Sequence, residues 1–173
     1  MEFLGYNVHH KVLGIYGFGR IGKKMAHRAK GFDMRILYTD AVGSTPSVEE
    51  EMGAQFVDKE TLLSESDFVT LHVSLWPETT HYISDADFAR MKPNTILINA
   101  SRGPVVDEKA LVHALKKGKI AGAGLDVYER EPEVEPELIS MRNVVLAPHI
   151  ASASCETRLK MTMVAVENLV AGL

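Results

Sequence analysis

The sequence predicts a doubly wound α/β fold built on a parallel sheet. Short apolar runs recur at residues 12–16, 34–38, 68–73, 95–99, 121–127 and 144–147, and helical patterns separate most of them. Most of the runs are apolar on both sides of the pleat, as in strands buried between two layers of helices. Strands alternating with helices pair in parallel through right-handed crossovers.

In chain order, the first strand, Val12–Tyr16, runs into a glycine-rich turn and a helix over 20–30. Ile21, Met25, Ala26 and Ala29 of that helix repeat at helical spacing. Strand 34–38, a short helix over 60–63 and strand 68–73 follow. A helix over 85–91 begins with a capping Asp and stops before Pro93, which would break it. After strand 95–99 comes the clearest helix, 107–117. Asp107 is its N-cap, Ala110, Leu111, Ala114 and Leu115 share a face, and Lys116, Lys117 and Gly118 close it. Lys116, Lys117 and Lys119 read as a solvated helix end matched to its dipole rather than as a phosphate site. Between strands 121–127 and 144–147 lies an acidic stretch, 129–137, with Pro132 and Pro136, expected to be a surface loop. A long amphipathic helix over 156–169 ends the chain. With no repeat, linker or second core in view, residues 1–173 are expected to form one domain.

Composition excludes several classes. The 173 residues are 46% apolar and 24% charged, enough to bury one sizeable core. A net charge of −4 and a pI near 6.0 lack the footprint of a nucleic-acid binder. The longest stretch free of Asp, Glu, Lys and Arg, residues 143–155, has 13 residues, short of the ~18 that span a bilayer. Residues 1–10 lack the pattern of a signal peptide. Cys155 is the single cysteine, so no intrachain disulfide forms, and it reads as an inert small hydrophobe. The expectation is a cytoplasmic protein without nucleic-acid or membrane partners. His9, His10, His27, His72, His81 and His113 show no metal-ligand spacing beyond the adjacent pair His9-His10, so no metal is expected.

The turn after the first strand is Gly17-Phe18-Gly19-Arg20-Ile21-Gly22, a G-x-G-x-x-G between a strand and a helix. Gly17 permits the tight turn, Gly19 lets a pyrophosphate approach the backbone, and Gly22 lets the helix pack close on the strand. Free N–H groups and the helix dipole then hold the anion. Alone this pattern is weak, but Asp40 follows the second strand 18 positions after Gly22, placed to accept bonds from ribose hydroxyls. Together these features predict a Rossmann-like dinucleotide-binding domain. A 2′-phosphate would lie against the Asp40 carboxylate, and residues 41–47 supply no Arg or Lys, so NAD is favoured over NADP.

Three later strand ends carry polar residues to the carboxyl edge of the sheet, where open α/β folds bind ligands. Asn99-Ala100-Ser101-Arg102-Gly103 leaves one strand, Asp126-Val127-Tyr128-Glu129-Arg130-Glu131-Pro132 the next, and Ala147-Pro148-His149 the last. An Arg, a Glu and a His thus meet beside the expected nicotinamide. An imidazole exchanges a proton near neutrality, so His149 is the acid–base candidate. Glu131 would hold the other ring nitrogen and favour the imidazolium. Arg102 would grip a substrate anion with its planar fork. Asp126 would orient the nicotinamide amide. Trp76 either lines the nicotinamide pocket or is a partly exposed packing residue, and Tyr128 is structural.

These stretches, with 13–22, 71–80, 91–107, 122–132 and 143–154, make the sequence similar to the cofactor-binding domain of the NAD-dependent D-2-hydroxyacid dehydrogenases. Within that family it resembles most the glyoxylate/hydroxypyruvate reductases. The resemblance implies Arg102, Glu131 and His149 as the catalytic Arg, Glu and His, spaced by 29 and 18 residues. It also implies Gly17, Gly19, Arg20, Ile21, Gly22, Asp40, Val73, Ala100, Ser101, Asp126, Ile150, Ala151 and Ser152 as cofactor contacts. The implied substrate is a small 2-keto or 2-hydroxy acid, and the implied assembly a homodimer built through this domain. Ser74 departs from the pattern, since relatives usually have Pro there. Family members also carry a substrate domain made from both chain ends, so this chain is expected to be the cofactor domain without it, nearly inactive alone. A second class of relative, the corepressors, keeps this fold and reads the cofactor as a conformational signal. Formate dehydrogenases are disfavoured because they would carry Gln at the position of Glu131.

Overall fold

Seven strands pair in parallel in the computed structural model, which describes residues 5–172. They are β1 Val12–Tyr16, β2 Arg35–Thr39, β3 Ala54–Phe56, β4 Phe68–Leu71, β5 Ile96–Asn99, β6 Gly122–Leu125 and β7 Val144–Leu146. Residues 1–4, part of the amino-terminal reading, lie outside the described residues. The sheet order is β3-β2-β1-β4-β5-β6-β7. The chain builds outward from β1 to β3, then returns to place β4 on the other side of β1. That reversal opens a crevice at the carboxyl ends of β1 and β4.

The helices are α1 Arg20–Ala29, α2 Pro46–Met52, α3 Lys59–Glu65, α4 Asp85–Phe88, α5 Glu108–Lys116, α6 Pro136–Ile139 and α7 Cys155–Ala171. Alternation along β1 divides the core between the two faces of the sheet. Leu13 and Ile15 pack with Ala26 and Ala29 of α1 and Met52 of α2. Gly14 and Tyr16 face the other way. A Cβ on Gly14 would meet Ser66 Oγ at 2.3 Å, and Tyr16 joins Leu62, Leu63, Leu71 and Leu111 in the larger cluster.

The expected strands and main helices are present, the first strand with the same bounds and the others with ends shifted by at most three residues. Three elements were not foreseen: α2, the edge strand β3, and α6 inside the acidic stretch. The cap of α4 is Ser84 rather than Asp85, with Ser84 N and Oγ both donating to Asp87 Oδ2 at 2.9 Å. Asp107 caps α5 as expected, accepting from Ala110 N at 3.0 Å. Lys116 at the end of α5 pairs with Glu137 of α6.

Helix α7 departs from the expectation of a one-faced amphipathic helix. None of its residues is buried. Leu159, Met163, Val166 and Val170 form one stripe, while Met161 and Val164 fall nearly opposite, and all six are exposed. No described helix is long and apolar enough to cross a membrane. Cys155 opens α7 and is exposed, not packed away as a small hydrophobe.

Candidate active site

The glycine turn sits at the carboxyl end of β1, against β4. Gly17 takes φ +86°, and a Cβ there would lie 2.7 Å from the His72 carbonyl, so the turn admits only glycine. A Cβ on Gly22 would lie 2.1 Å from Gly17 O, so this glycine seats α1 on the turn. At Gly19, by contrast, an added Cβ meets nothing within 4 Å. Gly19 is also the N-cap of α1, which has no side-chain cap and no acidic residue in its first turn. The helix therefore presents N–H groups and positive dipole to an open surface, an arrangement that receives a phosphate.

Asp40 stands beside this turn. Its Oδ2 accepts from Phe18 N and its Oδ1 from Ala41 N, both at 2.7 Å. Each oxygen keeps a further lone pair for a ribose hydroxyl. A cavity of about 460 Å³ is lined by Gly17, Gly19, Asp40, Val73, Trp76 and their neighbours. A second, of about 370 Å³, shares His72, Val73 and Ser74 with it and reaches Ile21, Ala100, Ser101 and Arg102. The two form one groove running from Asp40 to Arg102. Trp76 is 64% exposed and lines the cavity that also holds Asp40 and Val73. Thr79 Oγ1 donates to Ser74 O at 2.7 Å and closes the loop between β4 and α4. Arg20 is exposed in the first turn of α1 and lines neither cavity.

Arg102 is positioned by a residue the sequence reading passed over. Asn99, 1% exposed, accepts from Ser101 N and Oγ at 3.1 and 2.9 Å and donates to Arg102 O at 3.0 Å. The turn then presses on the loop after β6, since a Cβ on Gly103 would lie 1.8 Å from Tyr128 O. Across the same contact, Glu129 N donates to Glu108 Oε1 at 2.7 Å, and His81 Nε2 lies 3.0 Å from Glu129 Oε1. These bonds clamp the loop that ends at Glu131.

His149 and Glu131 meet directly, with Nδ1 and Oε2 2.8 Å apart. A carboxylate only accepts, so Nδ1 carries the proton and Nε2 is left to face outward. Glu131 Oε1 also accepts from Tyr128 N at 3.1 Å. The His149 hydrogen bond, with help from Tyr128 N–H and the charges of His149 and Arg102, holds the Glu131 carboxyl below the usual carboxylate range. Arg102, Glu131 and His149 follow β5, β6 and β7, three neighbouring parallel strands, at the same edge of the sheet. His149 is 52% exposed along its side chain and has φ 55°, a left-handed conformation uncommon for non-glycine residues and often kept at working sites. Glu131 and His149 line a third cavity, of about 340 Å³, with Tyr128 and Pro148.

Asp126, 8% exposed, is used by the backbone of the turn after β7. Its Oδ1 accepts from Ile150 N and its Oδ2 from Ala151 N, each at 2.8 Å, which ties down the turn carrying His149. Ser152 is exposed in that turn. Tyr128 is structural, as expected, its hydroxyl donating to Ala147 O at 2.8 Å from a buried position.

Comparison with known proteins matches residues 1–151 to the family described as D-isomer specific 2-hydroxyacid dehydrogenase, NAD binding domain. A glyoxylate reductase of Thermococcus litoralis is 57% identical over 171 residues, 99% of this chain and 51% of that protein. A glyoxylate/hydroxypyruvate reductase B of Escherichia fergusonii is 53% identical over 174 residues, 99% of this chain and 53% of that one. The crystal structure of a glyoxylate reductase from Paecilomyes thermophila superposes with a TM-score of 0.92 at 41% identity, covering 98% of this chain and 51% of its own. The chain therefore spans about half the length of the curated relatives it matches.

Proposed function

Since the chain belongs to the D-isomer specific 2-hydroxyacid dehydrogenase family, as its NAD-binding domain, we propose that it holds NAD(H) along this edge and carries the proton-transfer groups for interconverting a small 2-keto acid and its 2-hydroxy acid. Asp40 takes the adenosine ribose, the open face at Gly19 and the uncapped end of α1 take the pyrophosphate, and Ala100, Ser101 and the Asp126–Ile150 contact border the nicotinamide. The bound cofactor supplies or accepts the hydride. His149 Nε2 gives the proton to the carbonyl oxygen in reduction and takes it back in oxidation. Glu131 fixes the tautomer, and Arg102 anchors the substrate carboxylate.

The observation that carries this reading is the 2.8 Å bond between His149 and Glu131 at the edge that also holds the glycine turn and Arg102. The names of the relatives point to glyoxylate or hydroxypyruvate as the keto acid. The exposed apolar residues of α7 support a homodimer through this domain, and a single free cysteine fits the cytoplasm. Sedimentation of a 19.1 kDa monomer at micromolar concentration would count against the dimer.

The test is a chimera in which this chain replaces the matching 171 residues of the Thermococcus litoralis relative. It should oxidise NADH with glyoxylate or hydroxypyruvate. Saturable NADH binding without turnover of any acid in a keto-acid panel would favour a regulatory NAD-binding module instead.

A further inference from the structure

At the amino ends of β1 and β2, opposite the cofactor edge, three side chains from two separate turns converge. His9 and His10 precede β1, and Asp33 precedes β2. His9 Nε2 lies 3.6 Å from Asp33 Oδ2, and the two imidazoles are 3.8 Å apart between centroids. One ligand atom from each of the three residues falls within 4.8 Å of the others. All three are exposed, so an ion reaches them directly from solvent.

The backbone holds the two turns together. His10 N donates to Phe32 O and Asp33 N to Lys30 O, both at 3.0 Å, and Arg35 N donates to Lys11 O at 3.1 Å. His10 and Asp33 both have left-handed φ values, 61° and 49°. That conformation is uncommon for non-glycine residues, and two of the three residues of the cluster adopt it.

We propose that His9, His10 and Asp33 form a surface site for a divalent transition-metal ion of the zinc class, with two imidazole nitrogens and one carboxylate oxygen as protein ligands and water completing the shell. Two imidazoles select zinc, nickel or copper, whereas magnesium and calcium take oxygen sets. Ligands about 2.1 Å from a tetrahedral ion lie roughly 3.4 Å from one another. The His9–Asp33 separation of 3.6 Å already suits that shell. Exposed side chains bring in the third ligand by small rotations. The ion would staple the segment before β1 to the turn before β2 and stabilise the folded chain by mass action. The five residues of β1 at about 3.3 Å each keep it well away from the glycine turn. This revises the expectation of no metal: sequence showed the His9-His10 pair, but Asp33 comes from a different turn, 23 residues beyond His10.

Calorimetric titration of the chain with ZnCl₂ in a non-chelating buffer tests the site. One saturable event per chain is expected, undisturbed by excess Mg²⁺ and weakened about tenfold or more in His9→Ala and in Asp33→Asn. His10→Gly removes a ligand and relieves the left-handed backbone. It should melt no lower than the parent without zinc and lose the rise in Tm that zinc gives the parent. Ni²⁺ should broaden the amide NMR signals of residues 9, 10, 32 and 33 first. No saturable binding, or zinc binding unchanged in the His9→Ala/His10→Gly double variant, would overturn the proposal. So would Ni²⁺ broadening centred on His149 and Glu131, the other imidazole–carboxylate pair.

Discussion

Glu131 holds His149 through Nδ1 at 2.8 Å, and the same carboxylate is held in turn by Tyr128 N at 3.1 Å. The imidazole is therefore held from behind in one tautomer, which leaves Nε2 outside the bond to Glu131. The loop bearing Glu131 is clamped by Gly103 and Glu108, so its position is a property of the whole edge.

The first prediction concerns that carboxylate. His149 lowers the pKa of Glu131 chiefly by hydrogen bonding to its charged form. Folding then gains from this pair above the ordinary carboxylate range and loses the gain as the pH falls through the lowered value. Carboxyl ¹³C NMR should show Glu131 titrating below an ordinary glutamate, and the His149→Ala chain should show it moved upward. An unchanged titration in that variant would mean that other groups set it.

Two glycines should separate folding from binding. Gly19→Ala places its methyl in open space, so urea unfolding should change by less than about 0.5 kcal/mol. The same methyl intrudes where a pyrophosphate would lie, so NADH affinity should fall clearly. Gly103→Ala pushes a methyl into Tyr128 O and should destabilise by about 1–3 kcal/mol. If Gly19→Ala binds NADH as the parent does, the phosphate assignment fails.

Asp40→Ala should weaken NADH binding and narrow the preference over NADPH, because it removes both the ribose acceptor and the charge that repels a 2′-phosphate. It also frees Phe18 N, so part of the loss comes from a looser glycine turn. Fluorescence titration with both cofactors measures the ratio. Tighter binding of NADPH than NADH by the unsubstituted chain would refute the role of Asp40.

The features legible in the sequence were those with local signatures. Val12–Tyr16, the glycine turn and the N-cap Asp107 announce themselves within a few residues. Edge strand β3 did not, because three residues, two of them exposed, carry no hydrophobic period. Helix α2 was hidden because its run Glu49-Glu50-Glu51 leaves only Val48 and Met52 as apolar residues. Asn99 and the Glu108–Glu129–His81 clamp escaped because their bonds join a buried amide to a turn, or residues 21 and 48 apart, which no spacing rule encodes. Asp126 was singled out, but its bonds to Ile150 and Ala151 depend on β6 and β7 being neighbours. The apolar content of α7 was visible, while its spread over two sides shows only on the helix itself.

The last prediction concerns chemistry, measured in the chimera with the Thermococcus litoralis relative. Reduction consumes a proton from His149, so its rate should fall on the alkaline side, and oxidation should fall on the acid side. Glu131→Gln keeps an acceptor for Nδ1 but removes the carboxylate that holds the ring. It should lower kcat while NADH binding barely changes. Arg102→Ala should raise KM for the keto acid and lower kcat together, because one side chain both anchors and polarises. His149→Ala should cost about 10²–10⁴ in kcat and flatten the pH profile, the usual worth of a positioned acid–base group. A His149→Ala chimera that reduced glyoxylate at the parent's rate, with the same pH profile, would remove the imidazole from the mechanism and leave its bond to Glu131 a structural one.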